Sequence, residues 1–329
     1  MVDTIAALIA EADRLTAHHR ADAAATRLRR ALAADGPGLE DRARLNVALA
    51  RSLLAARDGE AALDAVCAAM VIDLPDVLPA LAAVLDRMAP AQVQGAMRLV
   101  RHRAAAGLTG AARADVLVLS GRHSLRMAEG FAAFSSAADP EQERRFAALA
   151  VEDLTEALEV PQPVAVREML ARARGLAGDW QGAAELWARI AAEDKGPTAR
   201  AQQAQALRQL GDLWGAAAAY EQYLGGGMVD DAGDAALALA EIWQDLGEPA
   251  RALAPARLAL AQARAAMDPA QAGLAGGLLG RLLVTTGTEA EARQVLREAL
   301  PLLAAEWGDS DAATRAAAAA LLAGLSALG

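Results

Sequence analysis

Histidine, cysteine and serine are the side chains here that could do chemistry, and their spacing decides whether they can act together. The four histidines are His18, His19, His102 and His123. Neighbouring residues on a helix point about 100° apart, so His18 and His19 cannot chelate one ion as a pair four residues apart could. No cysteine or acidic cluster completes a site, and all four histidines read as surface residues. The run Asp115 to Leu125, DVLVLSGRHSL, sets Ser120 and Ser124 near His123, as a nucleophile would be set near its base. A Gly-x-Ser-x-Gly elbow and flanking alternating strands are both missing, so the run reads as an apolar helix face. Cys67, the single cysteine, stands among Ala65, Val66, Ala68 and Ala69 and reads as a small core hydrophobe with no reactive thiol. The chain is therefore expected to be no enzyme and to need neither cofactor nor metal.

Charge points the same way. The net charge is −10 and the isoelectric point is ≈ 5.0, which disfavours general affinity for nucleic acid or anionic membranes. One stretch runs against this: Arg98, Arg101, Arg103, Arg113, Arg122 and Arg126 are opposed within it only by Asp115. It reads as a solvated helix face, with a patch for an acidic partner segment as the functional alternative. It carries no aromatic residue on which bases could stack. The N-terminus has acidic Asp3 and Glu11 and no basic flank, unlike a signal peptide. The apolar stretch Ala316 to Gly329 is short for a bilayer span. A cytoplasmic protein is expected, the lone cysteine fitting a reducing compartment.

The elements that would carry such residues are helices. Hydrophobic residues make up 55% of the chain and aromatics 3%, with alanine and leucine, the strongest helix formers, prominent. Four glycine-led turns recur in one phase: Gly178-Asp179, Gly211-Asp212, Gly247-Glu248 and Gly287-Thr288, spaced by 33, 36 and 40 residues. Before each lies a small residue (Ala171, Ala204, Ala240, Gly280) and after each another (Ala183, Ala216, Ala252, Ala292). Paired small residues let two helices approach to the low end of about 8–10 Å. The glycine can take the left-handed conformation that ends the first helix, and the following Asp, Glu or Thr can cap the second. Trp187, Tyr220 and Leu296 then fill the space against the adjoining unit.

Taken as a whole pattern, this resembles the tetratricopeptide repeat family. The resemblance covers Val164 to about Trp307 and extends to Ala43–Asp73, where the turn reads Arg57-Asp58-Gly59, one residue out of step; Thr4–Ala34 is a weaker copy. The expected fold is all-α: a solenoid of about seven or eight stacked antiparallel hairpins in a right-handed superhelix. The expected organisation is repeats at 1–74, degenerate helical repeats with an insertion at 75–163, repeats at 164–307 and an apolar capping helix at 308–329. Within 75–163, helices are expected at about Val77–Met88, Ala91–Ala106, Gly110–Gly130 and Glu141–Glu159, with the insertion at Phe131–Pro140. Gly225-Gly226-Gly227, followed by Asp230, Asp231 and Asp234, reads as a long connection or a hinge.

The resemblance implies a protein interaction scaffold that binds a peptide or partner protein in its concave groove. Transferring that face onto this chain picks out Arg44, Arg51, Glu168, Arg172, Gln205, Arg208, Glu241, Gln244 and Arg281. A carboxylate clamp of Lys and Asn is not available, since Lys195 falls between repeats and Asn46 has no companion. The last helix is apolar on every face, the character of a buried helix, and is expected to pack against another copy or a partner. Two alternatives stand beside the scaffold: a ligand- or peptide-responsive sensor, and a non-catalytic accessory subunit of an enzyme.

Overall fold

The phased glycines act as the sequence requires. In the computed structural model Gly178, Gly211, Gly247 and Gly287 all have φ between 75° and 88°, the left-handed region where a side chain is strained. Behind each, the next N–H reaches back five residues, as in Asp212 to Leu207 at 3.0 Å and Glu248 to Trp243 at 2.8 Å, closing the helix end. Asp212 then accepts from the Gly215 N–H at 2.9 Å and caps the second helix. Glu248 makes no such side-chain bond; Pro249, with no N–H to satisfy, starts that helix instead.

The structure describes residues 2–303, except 35, 89, 135–138, 195–196 and 227–231, together with 316, 319–320 and 323. Among the described residues there are sixteen helices and no strand. They are α1 (Val2–Ala17), α2 (Ala21–Ala33), α3 (Leu39–Ala55), α4 (Gly59–Ala69), α5 (Val77–Leu85), α6 (Pro90–Gly107), α7 (Gly110–Phe134), α8 (Pro140–Ala157), α9 (Val164–Leu176), α10 (Trp180–Asp194), α11 (Pro197–Leu210), α12 (Leu213–Gly225), α13 (Ala232–Asp245), α14 (Pro249–Ala265), α15 (Pro269–Thr285) and α16 (Glu289–Leu303). Each unit is built from the expected helical hairpins, and their turns and close approaches fall where the phased glycines and small residues place them. No helix among the described residues is long and apolar enough to cross a membrane.

The helices gather into two units, Met1–Asp179 and Trp180–Gly329. In each, most helices pack on their sequence neighbours and, in several cases, on the next helix but one, as α1 on α3 and α13 on α15. Each unit has an apolar core of its own. One is built around Leu28, Leu45, Leu81 and Met97; the other lies around Ile242, Leu279, Leu282 and Leu296. Ala171, Ala204, Ala240, Ala216, Ala252 and Ala292 are fully buried. A Cβ at Gly280 would overlap the Leu296 side chain, so this position needs glycine for close approach alone.

Three departures from the sequence reading have local causes. The out-of-step turn is in step after all: Arg57 itself occupies the left-handed position (φ 64°), Asp58 caps α4 through Ala61 N–H, and Gly59 is the first helical residue. Arg57 does here what glycine does elsewhere. Helix α7 runs past Gly130 to Phe134, because the FAAF that follows continues the helix; the expected insertion is thereby shortened. His123 is buried, not on the surface. The residues Gly227, Asp230, Asp231 and Lys195, and all but a few residues of 308–329, lie outside those described.

Candidate functional site

Between α11, α12 and α13 lies an open cleft of about 460 Å³, all within the second unit. Its first wall follows from helix periodicity. Burying Ala204 at the centre of α11 turns Gln202, Gln205 and Gln209 away from the core, and Arg208, one turn past Ala204, borders them. Tyr220 and Tyr223 of α12 form the floor, and Asp234, Ala235 and Ala238 of α13 the far wall. Burial pushes the Tyr220 phenol above its usual pKa; the Arg208 charge counters this and that of Glu241 adds to it. The phenol stays protonated, a donor. The cleft thus offers three amides, each both donor and acceptor, a guanidinium and an apolar base. That set can hydrogen-bond an extended backbone; it holds no nucleophile–base pair.

Of the residues read from the sequence, Gln205 and Arg208 line this cleft, and Arg208 pairs with Glu241 at 2.8 Å, linking the first helices of successive hairpins. Gln244 is exposed on α13. Arg281 is half-buried on α15, with its Nε buried and unpartnered among the described residues. In the first unit, Arg44 pairs with Glu40 one turn away, Arg51 lies 4.0 Å from Asp13 of α1, and Arg172 meets Glu129 of α7 at 2.8 Å. Glu168 is half-buried on α9. The positive charge of Arg44, Arg51, Arg172 and Arg208 is therefore already met inside the protein. Gln202 and Gln209 were not picked out, although they stand three before and four after Gln205, on its own helix face; that spacing was the available signal.

The basic stretch folds into a charge network. Arg101 on α6 pairs with Glu152 and, at 3.1 Å, with Glu156, and lies 3.7 Å from Asp153. Arg113 on α7 also pairs with Glu156, and Arg126 meets Asp86 at 3.2 Å. Arg98, Arg103 and Arg122 remain exposed. Beneath Arg101 the Ser120 hydroxyl donates to Asp153 at 2.6 Å, with the Met97 sulfur 3.1 Å away. Asp153 is 2% exposed, and burial, aided by the Glu152 and Glu156 charges, drives its carboxyl up to about 6 against the Ser120 bond and the Arg101 charge. Ser120 and His123 thus face different acids: His123 lies 3.8 Å from Asp86 and is held neutral mainly by burial, which outweighs Asp86. The same burial pushes the Cys67 thiol up to about 12, opposed by Arg103, and leaves it unreactive. Among the described residues, no three His, Cys, Asp or Glu side chains are grouped to hold a metal ion.

No family profile matches the chain, and no curated protein is similar to it in sequence. Solved structures similar to it include a tetratricopeptide repeat protein from Parabacteroides merdae ATCC 43184, at 12% identity and a TM-score of 0.41, covering 84% of this chain and 99% of that one. The C-terminal part of a TPR repeat-containing protein from Cytophaga hutchinsonii gives 12% and 0.39, covering 88% and 99%. The apo form of RapI gives 9% and 0.45, covering 98% and 97%.

Proposed function

We propose that this protein is an interaction scaffold whose α11–α13 cleft holds an extended segment of a partner protein. The observation that carries this reading is the row Gln202, Gln205, Gln209, set on one helix face over a floor of two tyrosines. Amide side chains match the alternating donors and acceptors of a peptide backbone, and the two tyrosines, fixed by their burial, close the base of the cleft beneath them. Because Arg208 is tied to Glu241, a neutral segment is preferred: an acidic one would have to displace an existing carboxylate. Affinity would come from several modest bonds made to rigid helices, which hold the amides in place before binding.

The test is capture of partners from the source cells by the wild-type chain beside a Gln202→Ala/Gln205→Ala/Gln209→Ala variant. The variant should keep its helical content and melting temperature and lose at least one partner that the wild type retains. Retention of every partner by the variant would remove the cleft from the proposal.

A further inference from the structure

We propose that the edge of the second unit formed by the α11–α12 and α13–α14 turns is a separate docking surface, which takes an arginine-bearing basic segment of a partner protein on Trp214. It shares no lining residue with the cleft and does not rest on it. Trp214, in the first turn of α12, is 56% exposed, and Leu210, at the end of α11 just before the same turn, is 45% exposed. An indole so placed loses hydrophobic stabilisation unless something covers it.

The ring is also held ready. It meets the buried Trp243 edge-on, with centroids 5.4 Å apart and planes at 74°. Over Trp243, at 3.3 Å from its centroid, lies the Arg251 guanidinium, which is 6.0 Å from the Trp214 ring and anchored by Glu221 at 3.0 Å. One arginine thus already sits against this aromatic pair from the protein's own side, and the exposed part of Trp214 offers a further place for the same kind of contact. The charges around it favour a cation. Asp212, Asp245 and Glu248 are exposed on the two turns; Asp212 is spent on capping, Glu248 caps nothing, and neither Asp245 nor Glu248 has an ion pair among the described residues. Arg251, the base nearest to them in the chain, is neutralised by Glu221. A planar guanidinium stacks on an indole and pairs with carboxylates at once, which an ammonium does less well. Leu210 supplies an apolar seat for the residue next to it.

The probe is a capped peptide, Gly-Leu-Arg-Leu-Arg-Gly, titrated into the full chain by calorimetry, beside analogues with lysine or glutamate in place of arginine. The arginine peptide should bind with a dissociation constant below about 1 mM, the lysine analogue several-fold more weakly and the glutamate analogue not at all. Trp214→Ala should weaken binding about tenfold, Trp214→Phe less. Asp245→Asn/Glu248→Gln should weaken it and flatten its salt dependence. Failure of the arginine peptide to bind, equal binding by Trp214→Ala, or loss of binding in the triple glutamine variant instead would each overturn the assignment.

Discussion

Arg57 and Gly211 hold the same backbone conformation at the same place in a hairpin, one with a side chain and one without. A non-glycine residue in the left-handed region costs about 1–2 kcal/mol, part of which glycine gives back through the greater freedom of the unfolded chain. Gly211→Ala should therefore lower stability by about 1 kcal/mol, whereas Arg57→Gly, at an exposed position, should leave it unchanged or raise it by about 0.5 kcal/mol; denaturant midpoints of the two variants decide the signs. Asp153 makes a second prediction at this scale. Its folded pKa of about 6 lies above the value of 3.8 for a free carboxyl, so the folded state binds its proton more tightly. Its contribution is most favourable below about pH 4 and is lost as pH rises through 6. Asp153→Asn keeps an acceptor for Ser120 but cannot ionise. The variant should gain on wild type by on the order of 2 kcal/mol between pH 4 and 7.5; a difference that does not change with pH would contradict the assignment.

Among elements, the hairpins were legible and the charge network was not. Turn glycines, flanking alanines and aromatic fillers lie within some forty residues of one another, so their phase shows in one dimension. Arg101 and Glu156 are 55 residues apart and Arg113 and Glu156 are 43 apart, and only the packing of α6, α7 and α8 shows that the acids of one helix answer the arginines of the other two. His123 was misread for the same reason: its burial comes from the helices packed against α7. The cleft was half legible, since Gln205 and Arg208 follow from the resemblance, while Gln202 and Gln209 needed the orientation of α11. Successive second helices are also tied at a one-hairpin interval, Arg257 to Glu291 at 2.9 Å and Arg264 to Glu298 at 2.5 Å. These exposed pairs fix register more than they add stability. Close approach is the stronger constraint: Gly280→Val would drive a branched side chain into Leu296 and should cost about 1–3 kcal/mol, read as a lower unfolding midpoint.

For the whole molecule, packing between helices near in sequence and an apolar core in each unit mean that damage should stay where it is made. Cys67, buried in the first unit and unique in the chain, reports on one half only. Across a denaturant series, Gly280→Val should shift the helical signal of the second unit and leave the onset of Cys67 labelling by a thiol reagent where it is in wild type. Coincident shifts would show that the two units unfold as one.

The fully buried positions include Ala43, Ala48, Ala50, Ala171, Ala204, Ala240, Ala252 and Ala292. At such sites the native residue is already the one a truncation scan would install, so that experiment would pass over the places where helices touch. Enlargement does the opposite. With interiors packed to crystal-like density, each added methyl at these positions must force helices apart, and a scan to valine or leucine would draw the map of this protein's interior that a scan to alanine leaves blank.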